Sequence, residues 1–164
     1  MNLGIVGNGS DKFTDAGMLQ AKWAIMDAIQ FHQPEYVVSG HSPVGGVDIW
    51  AEEAARQLGV ELDLKIPEKN QWNPPGGYGY KARNIDIAKD SDVLIVVLAD
   101  MYPEEYTSKR FSFCYHHPKQ LVVDGVTPTN HVKSGGCWTG KTAHGLGKTV
   151  HWCIVKNYPA LTSA

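Results

Sequence analysis

Six consecutive aliphatic residues, Val93-Leu94-Ile95-Val96-Val97-Leu98, form the most apolar run in the chain. The run is short for a core helix and lacks the polar alternation of a half-solvated strand. It has the composition of a strand buried on both faces in the middle of a parallel sheet. Such a strand needs helices to cover it, and the remaining chain supplies them. Leu3 to Val6 is another short apolar run, stopped by Gly7-Asn8-Gly9-Ser10 and followed by a helical segment from about Asp15 to Phe31. On that segment Leu19, Trp23 and Met26 fall at i, i+4, i+7 with Met18, Ile25 and Ile29 beside them, which predicts an apolar face packed on a sheet. The unit repeats. Tyr36 to Ser39 reads as a strand, Gly40 to Gly46 as a glycine-rich loop, and about Val47 to Leu58 as a helix that Gly59 closes.

Glu61 to Lys65 alternates polar and apolar residues, as an edge or half-covered strand does. A loop rich in Pro, Gly and aromatics, Pro67 to Tyr80, has the composition of a cover, and Lys81 to Lys89 is a short helix leading into the apolar run. Asp100 to Lys133 breaks the pattern and is far longer than the connections of about two to six residues usual in α/β units, so it reads as an insertion. A helix from about Trp138 to Leu146, a strand from Thr149 to Val155 and a loose tail from Asn157 complete the chain. The alternation predicts one Rossmann-like domain over residues 1–164. Its architecture would be a three-layer α/β/α arrangement with a mostly parallel sheet of about five or more strands and a Cys/His-containing insertion at about 100–133. With 164 residues, 43% of them hydrophobic, the chain is long enough to fill one such core.

Charge and composition narrow the partners. Lys+Arg 15 against Asp+Glu 17 gives a net charge of −2, and no basic run tracks a phosphate backbone, which weighs against nucleic acid. No stretch approaches the roughly 20 apolar residues that span a bilayer. The N-terminus opens on a strand pattern rather than a signal segment, so the expectation is a soluble, cytoplasmic protein with no membrane partner.

In an open parallel sheet, ligands lie beyond the carboxyl ends of the strands, where helix N-termini present free N–H groups. Three glycine-rich segments are predicted there: Gly7-Asn8-Gly9-Ser10, Ser39-Gly40-His41-Ser42-Pro43-Val44-Gly45-Gly46, and Ser134-Gly135-Gly136-Cys137-Trp138-Thr139. Each can merely turn the chain, but together they suit a nucleotide or another phosphate-bearing small molecule, because glycine lets the backbone approach an anion. Gly7-Asn8-Gly9 lacks the third glycine of the dinucleotide fingerprint and no segment has a P-loop lysine, so there is no NAD or ATP motif. Arg83 and Asn84 open the short helix, where a guanidinium can grip phosphate or simply end a solvated helix. Asp48 can hold a ribose hydroxyl or favour its own helix dipole. Of the aromatics Trp72, Tyr78, Tyr80, Tyr102, Tyr106 and Trp138, one or two can stack on a base; otherwise they are packing or a surface between two copies of the chain.

The segment Ser39 to Asp48, followed by Ile49-Trp50-Ala51-Glu52-Glu53-Ala54, resembles the S-G-(x)n-G-x-D-x-x-A-E pattern of the SLOG superfamily of Rossmann-like nucleotide-ligand proteins, which includes DprA, YpsA-like and LOG proteins. The likeness continues through Arg83-Asn84, Asp90-Ser91-Asp92-Val93-Leu94-Ile95, Ser134 to Thr139, Ala143 and Gly147-Lys148, in order across most of the chain. The resemblance implies a phosphate cradle made of Gly7, Asn8, Gly9, Ser10, Ser39, Gly40, His41, Gly45, Gly46, Asp48, Arg83, Asn84, Ser134, Gly135, Gly136 and Thr139 that binds or senses a nucleotide or nucleotide-derived signal. Two alternatives come with it: a nucleotide N-glycosidase or phosphoribohydrolase, and a nucleic-acid processing module of the DprA type. The LOG motif places a glutamate after its last glycine loop, whereas here Thr139 is followed by Gly140, Lys141 and Thr142. Bond cleavage would then fall to Asp48 or Glu52.

Cys114, Cys137 and Cys153 are an odd number placed late, which weighs against a disulfide framework and leaves metal binding or burial. Cys114-Tyr115-His116-His117, His131 and Cys137 concentrate zinc-type ligands in and beside the insertion. Cys114, His117, His131 and Cys137 are the predicted set for a structural zinc, with His116 as a substitute for His117. The alternative is an exposed histidine pair with buried cysteines.

Overall fold

The computed structural model describes residues 1–107, 112–114 and 130–160. In chain order its elements are β1 (Asn2–Gly7), α1 (Asp15–His32), β2 (Tyr36–Ser39), α2 (Val47–Gln57), β3 (Glu61–Leu64), α3 (Tyr80–Asp90), β4 (Val93–Ala99), β5 (Phe113–Cys114), β6 (His131–Val132), α4 (Gly135–Gly145) and β7 (Thr149–Val155). Five strands form one sheet in the order β3-β2-β1-β4-β7, with every neighbouring pair parallel. Helices flank this Rossmann-like sheet. The longest pairing runs from Val93 opposite Thr149 to Ala99 opposite Val155.

The pleat sorts the apolar side chains of each strand into two cores, because successive side chains point to opposite faces. Leu3, Ile5, Val37, Ile95 and Val97 join Ala21, Ile25 and Ile29 of α1 and Val47, Ala51 and Ala55 of α2. Val6, Val38, Leu94, Val96 and Leu98 join Ile87 and Ala88 of α3 and Cys137 and Ala143 of α4. Each fully buried aliphatic side chain contributes about 1.5–3 kcal/mol relative to exposure. This double coverage explains why the Val93 to Leu98 run has no polar alternation.

Four expectations change in detail. Asn157, expected to open a loose tail, is 1% exposed, and its Nδ2 donates to the carbonyls of Lys12 at 2.8 Å and Met101 at 2.6 Å. β4 is an interior strand between β1 and β7, and the middle place belongs to β1. On α1 the buried face is Gly17, Ala21, Ile25 and Ile29, while Leu19 and Trp23 are 61% and 77% exposed. The stripe through Ala21 satisfies the same helical spacing, and its smaller residues let the helix sit closer to the sheet. Trp23 instead borders a shallow hollow with Leu19, Cys153, Ile154 and Val155 beside the edge strand β7. Finally, α4 begins at Gly135 rather than near Trp138, because the Ser134 hydroxyl accepts a hydrogen bond from the Gly136 N–H at 2.9 Å and caps the helix three residues early.

Within the predicted insertion, β5 and β6 form an antiparallel two-stranded ribbon with Cys114 opposite His131. Among the described residues no helix is long and apolar enough to cross a membrane.

Candidate functional site

The order of the sheet reverses between β1 and β4. The chain leaves β1 toward β2 on one side and later returns to β4 on the other. Connections that diverge from adjacent strand ends leave a crevice between them, the usual ligand position in open α/β sheets. Asn8, directly after β1 and only 3% exposed, bridges this crevice. Its Oδ1 accepts from the Ala99 N–H at 2.9 Å, and its Nδ2 donates to the Lys133 carbonyl at 3.4 Å.

The second glycine loop closes onto the first. Gly46 adopts φ 83° and ψ −144°, a conformation essentially reserved for glycine. A Cβ there would stand 2.5 Å from both the Asn8 carbonyl oxygen and the Ser10 nitrogen. The same approach lets the Val47 N–H donate to the Asn8 carbonyl at 3.1 Å, while the Ser10 hydroxyl donates to the Val44 carbonyl at 2.9 Å. From the opposite side comes the N-terminus of α4, whose first N–H, that of Gly135, has no acceptor within its own helix. The helix dipole makes that end partially positive.

These segments enclose a cavity of about 790 Å³, within the range of small-molecule sites. Arg83 borders it and is itself buried, 8% exposed. Its Nη1 donates to the Gly40 carbonyl, its Nε donates to Asn84 Oδ1 at 2.8 Å, and its guanidinium lies 5.2 Å from the Tyr80 ring centre. Those bonds fix the fork while using only part of its donors. Burial lowers the Arg83 pKa, and the nearby Asp48 opposes that effect. Asp48 also borders the cavity and accepts from the Ser42 N–H at 3.2 Å. Burial pushes its carboxyl up to about 6, against the downward pull of Arg83 and the Ser42 hydrogen bond. Lys12 and Lys133 also line the cavity, the Lys12 ammonium being paired with Asp11 at 2.8 Å. At the rim Trp72 and Trp138 meet edge to face, with ring centres 5.0 Å apart.

Of the residues expected at the site, Gly7, Asn8, Gly9, Asp48, Arg83, Asn84, Ser134, Gly135, Gly136 and Thr139 border the cavity. Ser10, Ser39, Gly40, His41, Gly45 and Gly46 are not among its lining residues. Ser39 and His41 instead serve a buried carboxylate: the Ser39 hydroxyl donates to Glu52 Oε2 at 2.9 Å, and His41 Nδ1 lies 2.7 Å from Glu52 Oε1. Glu52, the other carboxylate considered for catalysis, has no place on the cavity wall. Sequence reasoning passed over Lys12 and Lys133. Their signal was position, since one lies two residues beyond Ser10 and the other immediately before Ser134. Among the aromatics, Trp72, Tyr80 and Trp138 line the cavity, whereas Tyr102 packs on Tyr106 and Phe113 and the Tyr78 hydroxyl donates to Asp86.

The cysteines and histidines form a separate group. One ligand atom each from Cys114, His131 and Cys137 lies within 4.8 Å of the others. His117 and its substitute His116 lie outside the described residues. A hydrogen bond with Cys114, followed by burial, pushes the Cys137 thiol up.

No family model matches the chain, and neither a curated protein nor a solved structure matches it.

Proposed function

We propose that the protein is a SLOG-like binding domain that recognises a nucleotide or nucleotide-derived small molecule through its phosphate in the crevice beyond β1 and β4. One observation carries the reading: two strand-end loops and the N-termini of α3 and α4 converge on a cavity whose wall holds the buried, pre-oriented Arg83. A fixed guanidinium suits a phosphate because its fork matches two oxygens at once and loses little freedom on binding. Gly135 and Gly9 bring backbone close to the same space, and Lys133 adds long-range attraction. The paired rings of Trp72 and Trp138 offer an apolar face for a base at the rim.

A thermal-shift panel of nucleoside mono-, di- and triphosphates, nucleotide sugars and cyclic nucleotides tests the reading. A ligand that binds only the folded chain raises the melting temperature. One compound class is expected to do so in the wild type and not in Arg83→Ala. An identical shift in both proteins, or none at millimolar ligand, argues against the site.

A second reading, nucleotide N-glycosidase, has Asp48 in its favour. Its carboxyl borders the cavity and is raised to about 6, so it can exchange a proton near neutral pH. Release of free base from nucleoside monophosphates that stops in Asp48→Asn supports this reading; no release removes it.

A further inference from the structure

The group formed by Cys114, His131 and Cys137 lies outside the crevice cavity and plays no part in the proposed binding. Its three members come from three elements. Cys114 ends β5, His131 begins β6 directly opposite it, and Cys137 sits in the first turn of α4. His131 is fully buried and Cys137 is 1% exposed, while Cys114 is half-buried. Two sulfurs and an imidazole nitrogen so enclosed form a soft to borderline donor set, the kind that selects zinc over magnesium or calcium.

Geometry agrees with the chemistry. A tetrahedral zinc with Zn–S about 2.3 Å and Zn–N about 2.0 Å has ligand–ligand edges of roughly 3.4–3.8 Å. The three ligand atoms already lie within 4.8 Å of one another, close to those edges before any ion is bound. Among the described residues the ribbon pairs over two residues on each strand, and the buried Val132 and the Tyr102 hydroxyl, bonded to the Ser112 backbone, tie it to the rest of the fold.

We propose that Cys114, His131 and Cys137 supply three of the four ligands of one zinc ion, with water in the fourth position, and that the ion clamps the β5–β6 ribbon to the first turn of α4. Binding replaces two thiol protons, which pass to the buffer, and the neutral imidazole donates through its ring nitrogen; no oxidation occurs. The clamp joins Cys137 to the ribbon one residue after Gly136, so it steadies the turn that borders the crevice.

The test uses the reduced full chain, freed of metal and titrated with zinc and, separately, with cobalt(II). One equivalent of zinc is expected to bind and to raise the melting temperature. The cobalt form is expected to show the near-ultraviolet thiolate-to-metal charge-transfer band together with the visible bands of a tetrahedral site. Cys114→Ser and Cys137→Ser are each expected to weaken zinc binding by at least about tenfold. Should the buried Cys137 variant fail to fold, the half-buried Cys114 variant and the wild-type cobalt spectrum carry the decision. Zinc uptake well below one equivalent, a cobalt spectrum without a thiolate band, or a folded Cys114→Ser that binds zinc as tightly as the wild type would overturn the proposal.

Discussion

The side-chain carbonyl of Asn8 accepts a hydrogen bond from the backbone N–H of Ala99 at 2.9 Å, tying the ends of β1 and β4 together where the sheet order reverses. Asn8→Ala leaves that buried N–H without its acceptor, which costs about 1–3 kcal/mol in urea unfolding. Asn8→Asp keeps that acceptor but loses the donor to the Lys133 carbonyl and buries a charge, so it too is expected to lose stability. Its added negative charge at the crevice is also expected to weaken binding of any phosphate ligand, which titration calorimetry reads directly.

Gly46 and Gly59 both have positive φ, 83° and 71°, but their surroundings differ. Alanine at 59 meets nothing within 4 Å and carries only the left-handed backbone cost of about 1–2 kcal/mol. Alanine at 46 adds a collision with the first glycine loop. Gly46→Ala is therefore expected to lose clearly more stability than Gly59→Ala and to weaken ligand binding as well. Equal losses would mean that the two loops are not clamped as described.

Asp48 makes stability depend on pH. Burial raises its carboxyl from the ordinary 3.8 to about 6, so the native chain holds the proton more tightly than the unfolded one. Its contribution is greatest when protonated, declines as the pH rises from about 4 to about 6, and is level above that. A shift of about two units corresponds to roughly 3 kcal/mol. Asp48→Asn keeps the shape without the titration, so its stability relative to the wild type should rise by that order between pH 4 and 6. Parallel pH profiles of the two proteins would contradict the assignment.

The strands and helices were legible because burial writes itself into composition: Val93 to Leu98 has the composition of a doubly covered strand, and the glycine loops mark where β1 and β2 end. Glycine also misled, since Gly135 and Gly136 read as loop until the Ser134 cap places them in a helix. On α1, Leu19 and Trp23 outweighed Ala21 in any hydrophobic count, yet the smaller side chain is the one packed inside. The crevice was legible as a set of loops, but not the division of labour within it. That Ser39 and His41 turn to Glu52 while Lys12 and Lys133 face the cavity is settled by tertiary contacts with no local signature.

On the proposed function, a phosphate is held between the first glycine loop, Arg83 and the N-terminus of α4. The most direct measurement is an amide nuclear magnetic resonance titration of the labelled protein with the nucleotide that gives the largest thermal shift. Saturable shifts are expected, centred on Gly9, Asn84, Gly135 and Gly136, which border one cavity, and are expected to disappear in Arg83→Ala. Saturable shifts centred elsewhere, with these four resonances unmoved, would contradict the proposed function.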